Sequence, residues 1–102
     1  MYAKTFRYRV EPEKLGEVIS LVREMDTRML SYNVAFRKYT LVRENMGEVE
    51  FLEVYLFDGW EDWRKLMEHT RGDEKLEHAW REFESVVKGV FSEDDWEVVG
   101  YF

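Results

Sequence analysis

The sequence predicts an α+β sandwich: a four-stranded antiparallel sheet with its helices on one face. Three observations predict it. Four segments alternate apolar and polar residues with the period of a strand. Two helical stretches separate them in the order β-α-β-β-α-β. Sequential strands, short connections and right-handed crossovers leave one compact topology for that order, the ferredoxin-like βαββαβ sandwich. At 102 residues the chain is expected to form a single domain, 1–102.

The first strand is read as Tyr2–Val10, with Tyr2, Phe6, Tyr8 and Val10 on one face and Thr5, Arg7 and Arg9 on the other. Pro12 then stands where the first turn of a helix tolerates it. Leu15, Val18, Ile19, Val22, Met25 and Met29 follow at helical spacing, so an amphipathic helix is expected over about residues 12–30. Residues 32–44 alternate again. Val34, Phe36 and Val42 share one face; Asn33, Ala35, Arg37, Tyr39 and Arg43 share the other. "ENMGE" supplies a glycine turn, and "EVEFLEVYLF" (residues 48–57) is the next strand of the hairpin. Asp58 and Glu61 read as an N-cap and its partner three residues on. A short helix bearing Trp60, Trp63 and Met67 runs to the break at "TRGD". A longer one, about 73–91, carries Leu76, Trp80, Phe83, Val87 and Val90, and "WEVVGYF" closes the chain as a strand.

Composition narrows the function classes. The absence of cysteine excludes disulfides, thiolate metal sites and cysteine nucleophiles. The opening "MYAKTFRYRV" is charged and alternating, unlike a signal peptide or a membrane span, so a cytoplasmic protein is expected. The formal charge of −7 argues against nucleic-acid and anionic-membrane partners. Charged residues at 36% exceed the usual share of about 25%, glutamine is absent, and asparagine occurs only at 33 and 45. Those features lean towards a thermophilic source. Aromatics at 17% are the other excess, more ring surface than one small core covers.

Strand 48–57 is apolar on both faces. Leu52, Val54 and Leu56 point one way and match the aliphatic helices. Val49, Phe51, Tyr55 and Phe57 point the other way, with Glu53 among them. On this assignment, which assumes an unbulged sheet, the helix-free face carries Arg7, Arg9, Arg37, Tyr39, Arg43, Phe51, Glu53, Tyr55, Phe57 and Tyr101. Such a patch marks an interaction site. It would meet a second copy of the chain, stack RNA bases, or gather its arginines on an anionic small molecule. The first removes the patch without any ligand, and Glu53 would then pair with Arg7, Arg9 or Arg37. The RNA alternative lacks the glycine-and-basic pattern of RNA-recognition sheets.

The stretches "YRVEPEKLGEVISLVRE" and "YLFDGWEDWRKLMEHTRGDEKLEHAWREF" carry a resemblance. Strand, proline and amphipathic helix, then strand, short tryptophan-bearing helix, break and long helix, resemble the dimeric α+β-barrel superfamily. That superfamily includes antibiotic-biosynthesis monooxygenases and haem-degrading relatives. The resemblance implies a homodimer with sheets face to face and a pocket between sheet and helices. Trp60, Trp63 and Trp80 would line it, with Tyr8 and Phe36 opposite. The haem-degrading branch uses an asparagine on the first strand, a tryptophan on the short helix and a histidine on the next. Trp63 and His78 fall in the matching segments, but Tyr2–Val10 holds no asparagine. His78 lies opposite the Leu76/Trp80/Phe83 stripe, and His69 opposite Trp60 and Met67, so neither is expected to ligate a metal.

The remaining carboxylates, in "EKLGE", "GDEKLE" and "SEDDWE", read as solvated faces and caps. No glycine-rich phosphate loop, nucleophile elbow or zinc spacing is present. The expected protein is therefore a homodimer with an aromatic pocket for a small hydrophobic or aromatic molecule, without metal or cofactor. Cofactor-free oxygenation is the nearest chemistry that the resemblance implies. A non-catalytic ligand-binding or structural module is the alternative, and the sequence does not decide between them.

Overall fold

The computed structural model describes residues 1–100, the side chains of 89 and 90 excepted. The expected sandwich is present. Strand β1 (Tyr2–Val10) leads through a 3₁₀ turn at Pro12–Lys14 into helix α1 (Leu15–Leu30). Strands β2 (Arg37–Asn45) and β3 (Glu48–Phe57) form the hairpin. Helices α2 (Trp60–Arg71) and α3 (Glu74–Val86) follow, and strand β4 (Lys88–Glu97) completes an antiparallel sheet of order β2-β3-β1-β4. At the hairpin tip Met46 and Gly47 both have positive φ, 53° and 82°. That is the backbone a tight two-residue hairpin needs to match strand twist.

The pairing register decides which residues lie beneath the helices. Residues directly opposite each other in a sheet point to the same side. Tyr8 stands opposite Phe51, Phe6 opposite Glu53, and Tyr2 opposite Phe57. Phe51, Glu53, Tyr55 and Phe57 therefore join the aromatic side of β1 and lie under the helices, all buried. This corrects the expected assignment, which put those four on the helix-free face. Leu52, Val54 and Leu56 are the residues that lie there, beside Arg7, Arg9, Arg37, Tyr39 and Arg43 as expected for those five. Both faces of β3 are apolar, so hydrophobicity within that strand does not choose between them; the register with β1 does.

The core is aromatic against aliphatic. Tyr8 and Phe51 stack at 4.9 Å, and Phe83 of α3 meets Tyr8 edge-on at the same centroid distance. From α1, Val18, Leu21, Val22, Met25 and Met29 pack over them. Complete burial of a side chain such as Phe51 or Phe83 contributes about 1.5–3 kcal/mol. Helix α3 begins with a side-chain cap: Asp73 Oδ1 accepts the Leu76 backbone N–H at 3.2 Å. Helix α2 has no such cap. Its N-cap is Gly59, not Asp58, and the Gly59 carbonyl accepts from Asp62 N.

The last two elements also differ from expectation. Helix α3 stops at Val86, and Val87 is already extended. The spacing of Val87 and Val90 fits a helix, but these β-branched residues belong to the approach and start of β4. β4 pairs with β1 from Arg9–Lys88 to Tyr2–Glu97, across a bulge between Arg7 and Arg9. The run expected as the closing strand contributes only Trp96 and Glu97 to β4. Tyr101 lies outside the described residues.

Candidate functional site

Between the sheet and the three helices lies a cavity of about 580 Å³. Its floor comes from Phe6, Lys38, Glu53, Tyr55, Phe91 and Glu93 on four strands. Met25 and Met29 of α1 form one wall, Trp63 and Met67 of α2 another, and Leu76 and Trp80 of α3 a third. Strand alternation places Lys38, Glu53 and Tyr55 here, because each projects towards the helices at neighbouring register positions. The volume is that of a small-molecule site, and the lining is mostly rings and thioethers with a few polar groups.

Glu53 and Lys38 form the polar centre. Lys38 Nζ lies 2.6 Å from Glu53 Oε1, and both side chains are more than nine-tenths buried. Lys38 also pairs with Asp26 of α1, so one ammonium is shared by two carboxylates. Thr40 Oγ1 donates to Glu53 Oε1 at 3.4 Å. The partner expected for Glu53 was an arginine. Arg7, Arg9 and Arg37 project from the opposite face, and lysine takes the place. The Tyr55 ring lies under the Lys38 ammonium at 5.3 Å. Burial, then the charges of Glu53 and Asp26, holds the Tyr55 hydroxyl protonated well beyond its ordinary range. Burial and Glu53 do the same to the Tyr8 hydroxyl.

A second lysine repeats the pattern. Lys4, buried on the helix face of β1, reaches Glu93 at 2.6 Å and Asp95 at 2.8 Å. Its ammonium lies 5.3 Å from the Trp63 ring centre. Burial pulls its pKa down, but hydrogen bonds to Asp95 and Glu93 outweigh that and raise it.

Of the residues expected in the pocket, Trp63 and Trp80 line the cavity. The other three do not. Trp60 packs on Tyr2 and Phe57 at 5.4 and 4.9 Å, Tyr8 is sealed below the floor by Phe51 and Phe91, and Phe36 stands beside Tyr55 at 6.2 Å. His78 is exposed and pairs with Glu82 at 2.7 Å, while His69 stacks on Tyr32 outside the cavity. Sequence reasoning missed Lys38, Met25, Met29 and Glu93 as lining residues. Lys38 had a signal: it shares the parity of Phe36 and Val42, and a lysine on a core-facing stripe needs a buried partner. Among the described residues no cluster of three or more metal-ligating side chains occurs, and no helix is long and apolar enough to cross a membrane.

The helix-free face presents Tyr39, Leu41, Leu52, Val54, Leu56 and Trp96. Tyr39, Leu41 and Trp96 are each about half exposed, at 51, 52 and 55%. Trp96 Nε1 donates to Thr5 Oγ1 at 2.8 Å. At one end Glu50 accepts from Arg43 Nη2 at 2.9 Å and Asn45 Nδ2 at 3.0 Å. Those two bonds, Asn45's foremost, hold its carboxyl below the usual range.

This fold and cavity define a ferredoxin-like α+β protein. Its structural neighbours are antibiotic-biosynthesis-monooxygenase-like and NIPSNAP proteins. SnoaB from Streptomyces nogalater, a cofactor-independent oxygenase, superposes with a TM-score of 0.75 at 7% identity, over 98% of this chain and 94% of that one. A candidate antibiotic biosynthesis monooxygenase from Nitrosomonas europaea gives 0.74 at 12% identity, over 98 and 100%. A NIPSNAP domain protein from Burkholderia xenovorans gives 0.70 at 12% identity, over 100 and 98%. No protein-family model matches the chain, and no curated protein matches its sequence. At these identities the likeness is one of fold.

Proposed function

We propose that this chain is a homodimeric small-molecule-binding protein whose cavity takes a small, flat aromatic molecule. The observation that carries the proposal is the cavity of about 580 Å³, walled by Trp63, Trp80, Tyr55, Phe6 and three methionines around one buried ion pair. Aromatic walls and thioethers suit a flat apolar ligand, and the pair supplies a fixed point for orientation. SnoaB supports cofactor-independent oxygenation as the chemistry to test first. Within that chemistry Glu53 is the floor group suited to accept a ligand proton. The apolar helix-free face supports the homodimer, since a second copy would cover Leu52, Val54 and Leu56.

The test is a titration of a panel of apolar aromatic compounds against tryptophan fluorescence and melting temperature, with oxygen uptake followed for each binder. Saturable quenching with a rise in Tm is expected. A panel that produces no saturable change sinks the binding proposal. Binding without oxygen uptake leaves a non-catalytic binding module.

A further inference from the structure

The cavity has a sign. Two lysines stand in or beside it, each bracketed by two carboxylates: Lys38 of the lining by Asp26 and Glu53, and Lys4, next to Trp63, by Glu93 of the lining and Asp95. Each cluster therefore carries one negative charge more than its lysine cancels. Arg71 and Glu77, on the exposed rim, are one of each sign and offset each other. The charged groups nearest the cavity thus leave floor and wall negative.

Its rings are set for the same purpose. Tyr55 meets Phe6 at 86° and Trp63 at 74°, with centroids 5.7 and 5.3 Å apart. Trp80 meets Phe91 at 86° and 5.8 Å. In each crossed pair one ring meets the face of the other edge-on, so the lining rings do not share one orientation. Ring faces carry the negative end of the aromatic quadrupole. Two ammonium groups of the protein already lie about 5.3 Å from rings of this site, Lys38 at Tyr55 and Lys4 at Trp63. A desolvated cation near several ring faces and a carboxylate is held by both.

We infer that the ligand of this cavity is an organic cation: an aromatic or other apolar amine whose ammonium lies among the rings near Glu53 and Glu93. The inference rests on the small-molecule-binding proposal above and adds the charge of the ligand to it. An anionic ligand would meet two net-negative clusters, and both nearby lysines are already committed to carboxylates.

The experiment compares three probes of one shape at pH 7 by calorimetric titration: naphthalen-1-ylmethylammonium, naphthalen-1-ylmethanol and 1-naphthoate. The ammonium is expected to bind about tenfold more tightly than the alcohol, and the naphthoate most weakly. Glu93→Gln and Glu53→Gln should each weaken the ammonium more than the alcohol and so narrow the gap between them. Glu93 is half exposed at its side chain, so its variant keeps the comparison open should Glu53→Gln fold poorly. Alcohol and ammonium binding equally, or naphthoate binding best, overturns the cationic assignment and leaves the aromatic cavity standing. No saturable binding by any of the three overturns both.

Discussion

Lys38 and Glu53, fifteen residues apart in the sequence, meet at 2.6 Å beneath the helices, in a site otherwise made of rings and thioethers. Asp26 is the third member, so removing each partner leaves a different remainder. Glu53→Ala leaves Lys38 with Asp26 and should cost about 1–3 kcal/mol, the penalty for one lost buried hydrogen-bonded partner. Lys38→Met leaves the buried Glu53 carboxylate facing the partly buried Asp26 with no cation between them, and should cost about 3–5 kcal/mol. Glu53→Gln, whose amide still accepts a hydrogen bond, should be the mildest. Urea denaturation gives the ranking. If Lys38→Met is as stable as the parent, the pair is not buried in solution.

Asp73 ties the break between α2 and α3 to the end of α1. It accepts from Arg28 Nε and Nη2 at 2.9 and 2.8 Å and from the Tyr32 hydroxyl at 2.6 Å. Arg28 above all, then Tyr32, holds its carboxyl well below the usual range. A group whose pKa is depressed on folding adds stability above its unfolded value and loses it as pH falls towards the folded one. The contribution should thus be whole above about pH 4 and shrink on further acidification. Melting temperatures measured from pH 6 down to 2 should fall more steeply for the parent than for Asp73→Asn. Parallel curves would show that Asp73 does not hold this joint.

Met46 occupies a left-handed position, φ 53°, at a hairpin tip where its side chain is almost fully exposed. Asparagine tolerates that backbone better and suits the first central residue of this turn. Met46→Asn should stabilise by about 0.5–1 kcal/mol, since no contact is lost. A denaturant midpoint unchanged or lowered would mean that the turn relaxes to another type in solution.

How far the sequence reaches can be judged from three residues. Val18 and the other α1 positions were legible, because a helix with one apolar stripe has one way to face the sheet. Phe51 was not: its strand is apolar on both sides, and only pairing Tyr8 with Phe51 decides which side meets the helices. Lys38 was hidden differently. Its partners Asp26 and Glu53 come from another helix and another strand, so no local spacing brings the three together. The end of α3 was missed because Val87 and Val90 keep the helical spacing, and long-range pairing with β1 overrules that local pattern.

The helix-free face supplies a prediction about assembly. Leu52 lies at its centre, opposite Leu41 on one side and Arg7 on the other. An arginine there would sit beside Arg7 and across from no free carboxylate partner in its own register row, which ends in Ser92. Light scattering on a size-exclusion column should give twice the chain mass for the parent and the single mass for Leu52→Arg, with unchanged far-UV dichroism. A parent that runs as a monomer at micromolar concentration would remove the dimer.

Trp80 separates ligand binding from fold stability better than Trp63 does, although each lines the cavity. Trp63 lies within 6.1 Å of Phe6, Tyr55 and Phe57, so it is both wall and core. Trp63→Ala should therefore lose the saturable aromatic-ligand response and cost about 3–5 kcal/mol of stability. That double effect alone would be ambiguous. Trp63→Phe keeps a ring and most of the packing, and should restore stability while recovering part of the binding. Trp80 stacks on Phe83 at 5.2 Å but is 39% exposed, which limits what its truncation can cost the fold. Trp80→Ala should weaken ligand binding with a smaller loss of stability than Trp63→Ala. Calorimetric titration and chemical denaturation on the same three variants measure both quantities. If binding tracks stability across all three, the tryptophans serve packing alone; if Trp80→Ala loses affinity while staying folded, the cavity wall is where the ligand rests.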